Sequence, residues 1–130
     1  MSSTAAREDN QTQSRKVFPG VIEKSVNRVE LLGRVGAAPQ IRGSAHAVVS
    51  FSLATNHPFR DTDTGETRVK SDWHHVAVFI PAVKDHVMRE VTKGKRVYVS
   101  GRITYDVFEG GDGAIREASS IVADDVIRVA

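Results

Sequence analysis

Trp73-His74-His75-Val76-Ala77-Val78-Phe79-Ile80, followed by Pro81, is the stretch on which the fold turns. Side chains alternate between the two faces of a strand, so Val76, Val78 and Ile80 are expected inward and Trp73, His75, Ala77 and Phe79 outward. Two large rings are thereby assigned to the face away from the aliphatic set. Pro81 suits the first turn of a helix, and Val83, Val87 and Val91 recur at i, i+4 and i+8 before Gly94 ends the segment.

The flanking segments carry the same alternation. Upstream, Val29, Leu31 and Val35 share one parity, while Gly33 and Gly36 permit the bend or bulge that a tight barrel needs. Val49, Phe51 and Leu53 then fall on one face with Ser50, Ser52 and Ala54 on the other, and the polar run from Asp61 to Glu66 reads as a loop. Downstream, Val97, Val99, Ile103 and Val107 share a parity and leave Tyr98, Arg102, Thr104 and Phe108 opposite. Glu109-Gly110-Gly111-Asp112-Gly113 turns the chain into a last strand from Ser119 to Val129. The order β-β-β-α-β-β predicts an all-β protein: an OB-fold, a five-stranded Greek-key barrel with one helix between its third and fourth strands.

Composition removes several function classes. A chain of 130 residues suffices for one domain with its own core. Without cysteine, disulfide frameworks, thiolate zinc sites and cysteine nucleophiles are excluded. The longest apolar run is too short for a membrane-spanning helix, so no membrane partner is expected. The net charge of +2 does not by itself announce a nucleic-acid partner, so the placement of the 18 Lys and Arg must carry that argument. Residues 1–24 are expected to form a disordered N-terminal arm, since the first twenty are polar, lack a hydrophobic period and end at Pro19-Gly20. Residues 25–130 are then the folded domain. A mitochondrial transit peptide would be poor in acids, whereas this arm holds Glu8 and Asp9, so any targeting signal is expected to be already removed.

The outward residues suggest the chemistry. Unpaired nucleic-acid strands expose their bases, and a sequence-tolerant binder meets them with flat aromatic platforms and meets the phosphates with cations. Phe59, Trp73, Phe79 and Phe108 are the candidate base-stacking residues. Arg28, Arg60, Arg68, Lys70, Lys93, Lys95 and Arg102 are the candidate phosphate contacts. Rings in strands more often fill cores, but burying Phe79 would expose Val78 and Ile80, and burying Phe108 would expose Val107. Outward Tyr98 makes self-association a second use of such a surface.

The segments VNRVELLGRVG (26–36), FSLATN (51–56), DWH (72–74) with VF (78–79), and KGKRVYVSG (93–101) resemble the bacterial and mitochondrial single-stranded DNA-binding proteins. The resemblance runs from about Ser25 to Val129. It implies a homotetramer of OB-folds that wraps and protects single-stranded DNA during replication, with replication polymerase or helicase as further partners. The family's base-stacking aromatics fall on Phe59, Trp73, Phe79 and Phe108, with Phe59 and Phe108 standing where well-known bacterial members carry Trp. The resemblance also places His74 near a subunit contact, with Tyr98 as a second interface candidate. The chain stops at Ala130 without the Gly-, Gln- and Pro-rich linker and acidic tip of bacterial relatives, and IVADD (121–125) looks like the animal mitochondrial branch. The expected compartment is therefore the mitochondrial matrix, in the nucleoid, with the bacterial cytoplasm as the alternative if this is a truncated bacterial member.

No enzyme, cofactor, metal or small-molecule substrate is expected. His74 and His75 point to opposite faces of a strand and cannot chelate one ion together. Asp61 to Glu66 imitates the start of a calcium loop, but Gly65 stands at the fifth position, where such loops need glycine at the sixth. The glycines at 110, 111 and 113 lack the Lys-Ser or Lys-Thr of a phosphate loop. The remaining alternative is an OB-fold interaction module whose aromatic face docks a protein.

Overall fold

The computed structural model describes residues 22–129. Most of the expected arm therefore lies outside the described residues, and Ile22 to Val26 carry no strand or helix. Among the described residues two compact units emerge: 27–104 with 119–129, and 22–26 with Tyr105–Ala118.

The larger unit holds the barrel. Its strands are β1 (Val29–Val35), β2 (Gln40–Arg42), β3 (Val48–Arg60) and β4 (Thr67–Val78), then helix α1 (Pro81–Glu90), then parts of β5 (Arg96–Glu109) and β6 (Ile115–Val129). The sheet order β1-β5-β6-β4-β3, with β1 also pairing β3, returns to its start and closes a ring of five. The β1–β3, β1–β5, β2–β3 and β3–β4 ladders are antiparallel, whereas β4 runs parallel to β6 from Val76↔Ile121 to Val78↔Ala123. The sequence anticipated these five strands. It did not anticipate β2, a three-residue strand on the outer edge of β3, because three residues are too few to show a period.

Alternation decides the core. Val49, Phe51, Leu53, Val76, Val78, Val97 and Val99 are buried in one cluster, and Val87 of α1 and Val91 directly after it join the cluster, so the helix closes the barrel interior with valines its spacing singled out. Pro81 does occupy the first turn, and Gly94 takes a left-handed φ of 84° in the turn that follows. Along β6 the alternation slips by one, so that Ala123 and Val126 are buried while Asp124 and Asp125 are exposed. The carboxylate of Asp125 accepts a bond from the N–H of Val126 across that slip, at 2.9 Å.

Two assignments in the opening stretch are corrected. Ile80 was expected inward and is 43% exposed, because β4 ends at Val78 and Ile80 is the residue preceding α1, outside any ladder. Ala77 was expected outward and is buried, because Ser50 on β3 and Val122 on β6 flank it from both sides and suffice to cover one methyl group.

Closure of the ring rests on two glycines. A Cβ on Gly33 would stand 2.1 Å from the carbonyl oxygen of Ala54, and one on Gly101 would stand 2.0 Å from that of Val122. At both places backbone meets backbone with no room for a side chain.

Candidate nucleic-acid interface

The register of β3 with β4 sorts the outward residues. Ser50↔Ala77, Ser52↔His75 and Ala54↔Trp73 share one face of this two-stranded ribbon, opposite the face that carries Phe51↔Val76 and Leu53↔His74 into the core. Trp73 is therefore outward, as its parity predicts. Its ring lies over Gly36: a Cβ there would come within 2.4 Å of the indole Cζ3 and 2.9 Å of the Ser52 hydroxyl. Glycine at 36 thus lets the indole settle onto backbone while its other side faces solvent.

The four candidate rings are all exposed: Phe59 by 43%, Trp73 by 63%, Phe79 by 52% and Phe108 by 48%. They are not gathered on one face. Phe59 pairs with Arg68 and belongs to the face that bears the core further along the ribbon, opposite to Trp73. It escapes burial because β3 is 13 residues long and its last five residues, from Asn56 on, are exposed. Phe79 keeps the parity of Trp73 just past the end of β4. Phe108 belongs to the smaller unit, on a hairpin arm whose turn is closed by bonds from the N–H of Gly110 to the carbonyl of Ala114 and from the N–H of Gly113 to that of Gly110. Asp112 stiffens the same turn. It accepts from the N–H of Ala114 and pairs with Arg116 at 2.7 Å, and these contacts hold its carboxyl below the usual aspartate range.

The cations divide into two sets. Arg68 is bound to Asp61 at 2.9 Å and Lys70 to Asp72 at 3.5 Å, so their charges are partly compensated. Arg28, Arg60, Lys93, Lys95 and Arg102 are exposed and form no ion pair among the described residues. Lys93 and Lys95 flank Gly94, whose N–H donates to the carbonyl of Val35 at 2.8 Å, while the N–H of Val35 donates to the carbonyl of Lys95 at 2.9 Å. Val35 directly precedes Gly36, so this basic turn is fastened one residue from the platform under Trp73. The link is invisible in the sequence, where 37 positions separate Gly36 from Trp73.

The loop that imitates calcium ligation uses its oxygens otherwise. One carboxylate oxygen of Asp61 accepts from the N–H groups of Asp63 and Thr64, and the other holds Arg68, while Gly65 takes a φ of 74°. This is an Asx turn closing a hairpin.

The two interface candidates lie apart in the ladders. His74 is half-buried opposite Leu53, with Nε2 2.8 Å from the Thr55 hydroxyl. Tyr98 stands opposite the exposed Leu32 on the outward face of β1 and β5, and its hydroxyl donates to Glu30. That bond, first, and partial burial, second, raise the Tyr98 phenol above its ordinary pKa.

Comparison with known proteins agrees with this architecture. Residues 26–129 match the model of the single-strand binding protein family. The mitochondrial single-stranded DNA-binding protein of Drosophila melanogaster is 43% identical over 117 residues, covering 89% of this chain and 80% of that protein. Its counterpart from Oryctolagus cuniculus is 39% identical over 115 residues, covering 82% and 77%. Among solved structures, a Plasmodium falciparum SSB in complex with ssDNA superposes with a TM-score of 0.76 at 33% identity, over 85% of this chain and all of that one.

Proposed function

The chain belongs to the single-strand binding protein family, and from that premise we propose that it binds and protects single-stranded DNA in mitochondrial DNA replication, without catalysis. Bases stack on Trp73, Phe79, Phe59 and Phe108, and Arg28, Arg60, Lys93, Lys95 and Arg102 meet the phosphates. Arg68 and Lys70 contribute less, because each must first be drawn from a carboxylate. The observation that carries the reading is the chain's single Trp, exposed on a ribbon face and seated on Gly36 beside a basic turn. Stacking of this kind is worth ~1–3 kcal/mol per base and tolerates any base.

Its natural setting is the mitochondrial matrix, in the nucleoid, as a homotetramer that works beside the replicative polymerase and helicase. Support for assembly comes from β1. Among the described residues, Val29 to Gly33 pair only with β5, and β3 takes up only Arg34 and Val35, leaving an open strand edge that needs cover. Titration with poly-dT tests the main reading, since a base stacked on Trp73 quenches its fluorescence. An unquenched Trp73 at saturating DNA would instead favour an interaction module. Light scattering on the purified chain checks the tetramer.

A further inference from the structure

The turn between α1 and β5 gathers positive charge that no carboxylate offsets. Arg89 lies in the last turn of the helix, Lys93, Lys95 and Arg96 follow, and Arg34 reaches the turn from β1 by donating to the carbonyl of Gly94 at 3.0 Å. Arg34 also stands directly opposite Arg96 in the β1–β5 ladder, a pairing of like charges that costs stability. All five cations are exposed, and none forms an ion pair among the described residues. Glu90, the acid next to them in sequence, is engaged by Arg128 at 3.5 Å.

Thr92 sits in the middle of this set. It is exposed, lies outside α1 and every strand, and its hydroxyl has no hydrogen-bond partner among the described residues. Arg89 stands three residues before it, the spacing that Arg-directed protein kinases read in a Ser or Thr substrate. The chain repeats this spacing at two other places, Arg68 with Ser71 and Arg116 with Ser119. Both are closed to such an enzyme. Ser71 and Ser119 lie within β4 and β6, Arg68 and Arg116 are held by Asp61 and Asp112, and the Ser71 hydroxyl donates to Asn56 at 2.6 Å. Of the three, Thr92 alone combines a free hydroxyl, a turn and an uncommitted arginine.

We propose that Thr92 is a phosphorylation site through which an Arg-directed protein kinase weakens binding of the single strand. Its Oγ1 attacks the γ-phosphorus of ATP, the bond from that phosphorus to the bridging oxygen of ADP breaks, and the hydroxyl proton passes to the kinase's catalytic carboxylate. The product carries a charge of about −1.5 to −2 and three acceptor oxygens, set among cations that donate to them. The C-terminal end of α1 opposes an anion here with only roughly half an elementary charge. The phosphate therefore occupies Lys93 and Lys95 in place of a phosphate of the DNA. The inference rests on the reading of these two lysines as phosphate contacts and adds their control.

The full-length parent, Thr92→Val and Arg89→Ala are incubated with ATP and the catalytic subunit of cyclic-AMP-dependent protein kinase, and the modified positions are mapped by mass spectrometry. Thr92 of the parent should take up phosphate, and Arg89→Ala should do so much more slowly. The phosphorylated parent should bind a labelled dT oligomer about 5- to 25-fold more weakly at about 0.1 M salt, with the slope of log K against log salt lowered by about 0.7 to 1.4, the increment for one to two neutralised charges. Quenching of Trp73 at saturation should be unchanged. Thr92→Val, nearly isosteric, should bind as the untreated parent does both before and after the kinase. Failure of Thr92 to accept phosphate overturns the proposal alone, as does phosphorylation that leaves affinity and slope unchanged while the double variant Lys93→Ala, Lys95→Ala lowers the slope. A parent-like slope in that double variant overturns the phosphate-contact reading and the proposal with it.

Discussion

Trp73 and Gly36 are in direct contact, the indole lying where any side chain at 36 would have to be. Gly36→Ala is therefore expected to displace the ring while leaving the barrel intact, because the clash is with the movable end of a side chain. Affinity for dT oligomers should fall, by less than for Trp73→Ala, and Trp73 emission should shift. An unchanged emission spectrum and affinity would show that the seat under the ring does not matter.

Trp73→Ala should weaken dT binding by ~1–3 kcal/mol, and the loss should persist in high salt, because stacking releases no counterions. Anisotropy of a labelled oligomer measures this without the native fluorophore.

Arg60→Ala and Arg102→Ala should each lower the salt slope by about 0.7, the increment for one neutralised phosphate on a single strand. Arg68→Ala should lower it less, since its guanidinium is already bound to Asp61. Equal slopes in all three variants and in Trp73→Ala would contradict the division between stacking and phosphate contacts.

Gly33→Ala and Gly101→Ala are a different case from Gly36→Ala, because the added carbon meets a backbone carbonyl that cannot swing aside. Each should destabilise the fold by about 1–3 kcal/mol or more, read as a lowered midpoint in denaturant. Wild-type stability in Gly33→Ala would show that β1 does not close against β3 as described.

Tyr98 offers a test by pH. Its phenol is raised in the folded chain first by the bond to Glu30, so the neutral form is favoured there. The stabilisation is fully present below the ordinary tyrosine value of about 10 and is lost as pH rises through the higher folded value. Ring-carbon shifts in NMR should place the Tyr98 midpoint above that of a free tyrosine, and Glu30→Gln should bring it down. A midpoint unmoved by Glu30→Gln would remove the hydrogen bond as the cause.

Much of this was legible from residues alone. The alternation in β1, β3, β4 and β5, the valine spacing of α1 and the glycine turn at 110–113 are local patterns, and each recovered the element it encoded. The failures are Ile80, which follows the parity of β4 but lies beyond its ladder, and Ala77, which has outward parity but is covered by its neighbours on β3 and β6.

The sequence by itself determined which side of its own strand each ring occupies, since backbone geometry within a strand fixes a period of two. Only the tertiary structure decided which residues became neighbours: Trp73 with Gly36, Arg68 with Asp61, and the Lys93–Lys95 turn with Val35. Those contacts depend on long-range pairing and on where a strand leaves the core. No local pattern encodes either, because both follow from the closure of the whole ring.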